Sequence, residues 1–358
     1  MQFSVTLMPR VEDHALAIEA EALGYDAVWF ADNPLLWPDC YMMLTLAAQA
    51  TQKIRLGTGI AVPGLRLAPV TAHSIASINQ IAPGRVFLGI GVGGSGARVV
   101  GNKPMRIAQF DEYLRVLRGL LDGQEVEYTA ETGTQSIRFL NAAQGFRNVE
   151  DRIPLYVAAN GPKGLRLAGR YGDGLVSISG EDADTTASRL DMVRRGAQEA
   201  GRTLGPDFHT TAVANVVVLR PGEDLRSERV IAGTEALVTA MLHVTYGNYQ
   251  QTGDESLMPS FMHGVWEEYR DYVESLDTPP ELRFRELLEG HGTHCLPEEE
   301  RFVTPALIEA CALVAGPDEI AERLRKAESA GLSELTLTSS LGTARELMHD
   351  FTEVMKRL

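Results

Sequence analysis

The sequence predicts an α/β protein, a (β/α)8 TIM barrel with a mostly helical insertion before its last βα unit. Three observations predict it. Apolar runs recur along the 358-residue chain without polar alternation, as expected of parallel strands covered on both faces. Each run ends in small or polar residues. An apolar stripe at helical spacing follows, and eight such units close a barrel whose site lies at the strand C-termini.

Strands are expected near residues 2–7, 26–31, 54–60, 85–91, 154–158, 173–178, 209–218 and 333–338. The opening MQFSVTLMPR lacks a basic leader and reads as the first strand rather than a signal peptide. Val11, Ala15, Ile18 and Ala22 then repeat at helical spacing. Asp26–Asn33, DAVWFADN, is the second strand, and Ile54–Ile60, IRLGTGI, the third. The fourth, in RVFLGIGVGGSG, runs into Gly89, Gly91, Gly93, Gly94 and Gly96. Backbone without Cβ atoms is able to approach a flat or phosphorylated partner. Ile107, Phe110, Leu114, Leu117 and Leu121 form the next stripe. Residues 123–152, with EVEYTA and QSIRFL around ETGT, read as an inserted hairpin.

PLYVAANGP and DGLVSISG supply the fifth and sixth strands. Residues 220–302 are the helical insertion, rich in aromatics: Tyr246, Tyr249, Phe261, Trp266, Tyr269 and Tyr272. Such an insertion is expected to cover the mouth or build an interface. ALGYDAVWFAD and SAGLSELTLTS share one pattern, a helix end, a glycine cap and a strand. Residues 1–358 are thus expected to form a single barrel domain.

A net charge of −15 argues against nucleic acid or an anionic membrane as partner. No run approaches the roughly 18 apolar residues of a membrane span. Cys40, Cys295 and Cys311 show no paired spacing, which suits the cytoplasm. A ligand phosphate would be met by helix N-termini, including the one after Thr338–Gly342, and by Lys103, Arg106, Lys163 and Arg166. His73 is expected to be partly buried and structural. His291, His294 and Cys295, followed by Glu298 and Glu299, have zinc-binding residue types but no second half at matching spacing, so no metal site is expected.

The segments ALGYDAVWFAD, IRLGTGI, PGRVFLGIGVGGSG and RIAQFDEYLRVLRGLLDG, then PLYVAANGPKGLRLAGRYGDGLV, together resemble the luciferase-like flavin and deazaflavin oxidoreductases. The AANGP segment is similar to the methylenetetrahydromethanopterin reductase-like branch. The resemblance covers about residues 3–219 and 303–355 and leaves the insertion unmatched. It implies a TIM barrel holding reduced FMN, or alternatively the deazaflavin coenzyme F-420, at its C-terminal mouth. Gly59-Ile60 lies where many members carry a non-prolyl cis peptide behind the flavin ring. Gly91 and Gly93 would lie against the ring or its ribityl chain. Asn160, Gly161 and Pro162, with Ser179 and Gly180, would border the ribityl phosphate.

One position departs from the family pattern. The branch that oxidises alcohols and sugar phosphates reads Asp-His-x-x-x-Trp, whereas this chain reads Asp32-Asn33-Pro34-Leu35-Leu36-Trp37. Asparagine is no general base near neutral pH, which argues against hydroxyl oxidation. The resemblance implies a monooxygenase that uses molecular oxygen and reduced FMN from a separate flavin reductase. Asn33 and Trp37 would then be its catalytic pair, in a dry pocket completed by Leu35, Leu36 and the aromatic insertion. Gly91–Gly96, GVGGSG, fits the bare GxGxxG letters, but no GxGxxG strand–helix unit for a nicotinamide is read in the chain. The alternatives are F-420-dependent hydride transfer to a C=C or C=N bond, and a flavin-binding protein without turnover. A small-molecule substrate and a homodimer are expected in either enzyme.

Overall fold

The structure, a computed structural model, describes residues 1–178 and 182–358. Its strands are β1 (Gln2–Leu7), β2 (Ala27–Phe30), β3 (Arg55–Ala61), β4 (Val86–Ile90), β5 (Val126–Ala130), β6 (Gly133–Ile137), β7 (Leu155–Ala158), β8 (Gly174–Ile178), β9 (His209–Val218), β10 (Ala312–Ala315) and β11 (Glu334–Thr338). The order β9-β11-β1-β2-β3-β4-β7-β8 returns to β9, so eight strands close into a TIM barrel. β5 and β6 pair antiparallel as a separate hairpin. A ninth parallel strand, β10, pairs with Asn215–Val218 of β9. In sequence it is only ALVA directly after a helix, too short to register as a strand of its own.

Packing divides the chain into two units, Met1–Val213 with Lys326–Thr336, and Ala214–Arg325 with Leu337–Leu358. Inside the first unit, Trp29, Phe87 and Tyr156 fill the barrel. Among them lies a fully buried carboxylate, Glu334, which accepts hydrogen bonds from Ser4 Oγ, from Trp29 Nε1 at 2.8 Å and from His209 Nε2. The Arg55 guanidinium stands 3.6 Å away. Burial works to raise the Glu334 carboxyl, but His209, Ser4 and Arg55 outweigh it and hold it below the usual carboxylate range.

Glycines punctuate the strand approaches as the repeated sequence pattern implies. Gly24 ends the helix Leu16–Leu23 at φ 87°, and Gly331 follows the helix Pro317–Ser329 at φ 108°; both are left-handed positions. The first helical stripe is different from the expected one. Ala17 and Ala20 are its buried residues, whereas Val11 and Ile18 are about half exposed. Residues 11–15 form a 3-10 turn, and its three-residue period shifts the face that the α-helical spacing predicted. His73 is exposed rather than partly buried, with its ring 6.2 Å from Phe139.

The second unit is built on the helix Glu228–Thr252. Tyr246, Trp266, Tyr269 and Phe302 are buried together in its own core. Tyr246, Trp266 and Tyr269 therefore fill this core rather than line a pocket as expected, and the Tyr269–Phe302 and Tyr249–Trp266 pairs meet edge to face, as ring quadrupoles favour. Within that core His243 Nε2 lies 3.0 Å from Glu299 Oε1, and Tyr269 donates to the same oxygen at 3.3 Å. No helix of the described residues is long and apolar enough to cross a membrane.

Candidate cofactor site at the strand ends

The site is built from the residues that follow β2, β3, β4 and β7. Beyond β2 the chain turns at once. The Asn33 carbonyl accepts the N–H groups of Leu36 and Trp37, and Leu35 takes a left-handed φ of 68°. That turn leaves the Leu35 side chain 79% exposed while Asn33 is only 2% exposed. Asn33 Nδ2 donates to Ser95 Oγ at 3.0 Å. Its Oδ1 is buried without a partner among the described residues, and so is Trp37 Nε1. One bare acceptor and one bare donor thus sit four residues apart. Buried polar atoms of this kind are rare unless something else binds them.

Asp32, just before Asn33, is engaged. Its Oδ2 accepts from Val62 N–H at 3.1 Å and from Arg66 Nη1 at 3.3 Å. Burial pushes the Asp32 carboxyl up, and these two donors offset the rise only in part.

The Gly59–Ile60 peptide is cis, and the register between β3 and β4 shifts there, between Thr58 and Ala61. The glycines of the fourth strand serve two purposes. A Cβ on Gly91 would lie 2.5 Å from Ile60 Cδ1, and one on Gly93 2.5 Å from Val62 Cγ1. These positions are small so that the end of β3 packs against the loop. Their missing side chains make room for Ile60 and Val62. At Gly94 and Gly161, by contrast, an added Cβ would meet nothing within 4 Å. Those two are where backbone faces open space.

After β7, Asn160 and Gly161 are exposed, and Gly161 caps the helix Pro162–Tyr171 without a side-chain bond to its first turn. Proline at the first position costs this helix nothing, since that N–H has no helical partner. Ser179 and Gly180 lie outside the described residues. Lys103, Arg106, Lys163 and Arg166 are all exposed. A bare acceptor, a bare donor, open backbone at two glycines and uncapped helical N–H groups fit a flat heteroaromatic ring with a phosphate tail.

In the second unit His291 Nδ1 lies 3.4 Å from His243 Nδ1, and burial with nearby carboxylates pushes the Cys295 thiol up to about 12. Among the described residues no group of three or more His, Cys, Asp or Glu is arranged to hold a metal ion. Sequence reasoning missed Arg66 and Ser95, the two residues that orient Asp32 and Asn33. Their only trace in sequence is position, one after β3 and one after β4, in loops otherwise made of Gly, Pro and apolar residues.

A family model described as luciferase-like monooxygenase matches residues 9–334. The 5,10-methylenetetrahydromethanopterin reductase of Archaeoglobus fulgidus is 26% identical over 355 residues, covering 96% of this chain and 94% of that protein. The F-420-dependent glucose-6-phosphate dehydrogenase of Kineococcus radiotolerans is 33% identical over 227 residues, 60% of this chain and 66% of that protein, just under two thirds of its length. Among solved structures, the F-420-dependent tetrahydromethanopterin reductase of Methanopyrus kandleri superposes with a TM-score of 0.68 at 21% identity, over 99% of both chains. The oxygenating component of 3,6-diketocamphane monooxygenase from Pseudomonas putida, in complex with FMN, gives 0.63 at 15% identity, over 100% of this chain and 99% of that one. At those identities the two structures speak to the fold.

Proposed function

Since the chain belongs to the luciferase-like monooxygenase family, we propose that it is an oxidoreductase that passes a hydride between F-420 and a C=C or C=N bond of a small organic molecule. The observation that carries this reading is the neutral amide of Asn33, buried and half-partnered at the end of β2. Oxidation of a hydroxyl needs a base within reach of its O–H proton while hydride leaves the carbon, and asparagine is none. The neighbouring Asp32 is occupied by Val62 and Arg66. Reduction of a polarised double bond asks first for orientation and for exclusion of water. The choice of deazaflavin is supported by the likeness, along nearly the full length, to a reductase of a C1-carrying pterin.

When bound, the deazaflavin supplies the hydride. The chain's own residues do the rest. Asn33 Oδ1 accepts a hydrogen bond from the bound molecules and Trp37 Nε1 donates one. Ser95 fixes which way the amide points. Leu36, partly buried at the turn, keeps water away, whereas Leu35 is exposed and does not complete a dry pocket. Gly94 and Gly161 leave room for the ring and its tail, and the first N–H groups of the helix Pro162–Tyr171 meet the phosphate.

FMN-dependent monooxygenation is the second reading, favoured by the family's description and by the fold shared with an FMN-bound oxygenase. Anaerobic fluorescence titration with F-420 and, separately, with FMN decides between them. Tighter binding of F-420 is the expected result. Preference for FMN, with oxygen consumed when the reduced complex meets air, would replace the proposal with the oxygenase.

A further inference from the structure

The loop that carries Asn33 and Trp37 begins and ends on a carboxylate, and one arginine reaches both. Arg66 Nη1 lies 3.3 Å from Asp32 Oδ2, and Arg66 Nη2 bonds Asp39 Oδ2. Asp39 divides its oxygens. Its Oδ1 accepts Tyr41 N–H at 2.9 Å and Met42 N–H at 3.0 Å, capping the helix Cys40–Ala50. Arg66 is itself held from two sides. Its guanidinium lies over the Tyr41 ring at 4.6 Å, and its carbonyl accepts the Tyr113 hydroxyl at 3.0 Å. Thr71 Oγ1 sits 2.7 Å from that hydroxyl.

We propose that Arg66 is the positioning residue of the cofactor site, a two-ended clamp on loop 32–39 that sets where Asn33 and Trp37 stand. A guanidinium is planar and presents separate nitrogens to two acceptors, which the single ammonium of lysine does not reproduce. The Asp32 end is almost fully buried, and the Arg66 side chain is 23% exposed. A pair in that setting is screened far less than one on the open surface. The clamp's bearing on catalysis rests on the reading of this loop as the site. The clamp itself is testable without cofactor.

Trp37 is one of three tryptophans, with Trp29 and Trp266, so the difference between wild type and Trp37→Phe isolates its emission. Acrylamide quenching of that component is measured on the full chain for Asp39→Asn, Arg66→Lys and Arg66→Met. Asparagine keeps the helix cap and removes only the charge partner. Each substitution is expected to make Trp37 about twofold easier to quench, as local opening of the loop requires. Asp39→Asn should add nothing in the Arg66→Met background, because the two act through one contact. Unchanged quenching in Asp39→Asn and Arg66→Lys, or effects that simply add, would overturn the clamp. If Arg66→Met fails to fold, the other two variants carry the test.

Whichever cofactor the wild type binds should bind Asp39→Asn about threefold more weakly, as fits the half-exposed Asp39 end of the clamp. Equal affinity there would refute the link to the site while quenching judges the clamp. A wild type that binds neither F-420 nor FMN refutes the functional reading alone.

Discussion

Gly89 and Gly94 lie five residues apart and should respond to alanine in opposite ways. A Cβ on Gly89 would sit 2.3 Å from the Thr58 carbonyl oxygen, a backbone atom that cannot step aside. Gly89→Ala is expected to cost about 1–3 kcal/mol, read from urea unfolding. Gly94 has φ −70° and open space where the Cβ would go. Gly94→Ala should leave stability within about 0.5 kcal/mol yet weaken cofactor binding. An alanine at position 94 that binds as tightly as wild type would remove that glycine from the site. Glu334 makes a third test. Its carboxyl is held low in the fold, so its contribution is complete above the ordinary value of about 4.5 and is lost as pH falls through the lower folded value. Glu334→Gln strands His209 and Arg55 and should cost about 3–5 kcal/mol at pH 7. Its stability should also fall less steeply than that of wild type below pH 4.5. Equal acid slopes would show that another group governs that limb.

Two helices meet on glycine. A Cβ on Gly196 of the helix Ala183–Glu199 would lie 2.1 Å from the Arg166 carbonyl oxygen, and one on Gly169 of the helix Pro162–Tyr171 would lie 2.0 Å from that of Val193. Helix propensity alone favours alanine at both positions by about 1 kcal/mol. Close approach of the backbones reverses that preference. Gly196→Ala should therefore lower the urea midpoint with an unchanged slope, by about 1–3 kcal/mol. In sequence these glycines are indistinguishable from loop residues. The eight barrel strands were legible to within a residue or two, because a continuous apolar run between turn residues has few other readings, whereas β10 was not, and Phe110, Leu114 and Leu117 are buried as their spacing implies. The stripe beginning at Val11 departs from its expected face, since three-residue and 3.6-residue periods diverge within one turn.

At the scale of the whole molecule, a net charge of −15 repels the phosphate that both candidate cofactors carry. Screening by salt relieves that repulsion over a Debye length of about 10 Å at 0.1 M. Cofactor association is expected to quicken as ionic strength rises from about 0.01 to 0.15 M, measured by stopped-flow fluorescence. Slower association at higher salt would mean that local cations such as Lys163 or Arg166 steer the ligand in spite of the total charge.

Order and type of the eight barrel strands, the acidic composition, the glycine-rich strand ends and the histidine missing at position 33 were all decided by the sequence itself. Each is local, either a period, a composition or an identity at one position. Tertiary structure decided which partners those residues meet. Glu334 meets His209 from 125 positions away, and Arg66 meets Asp32 and Asp39 from 34 and 27. It also assigned Gly91 and Gly93 to packing and left Gly94 and Gly161 facing open space. The physical reason is that periodicity records whether a side chain is buried, whereas the identity of its partner depends on how separate strands come together when the barrel closes.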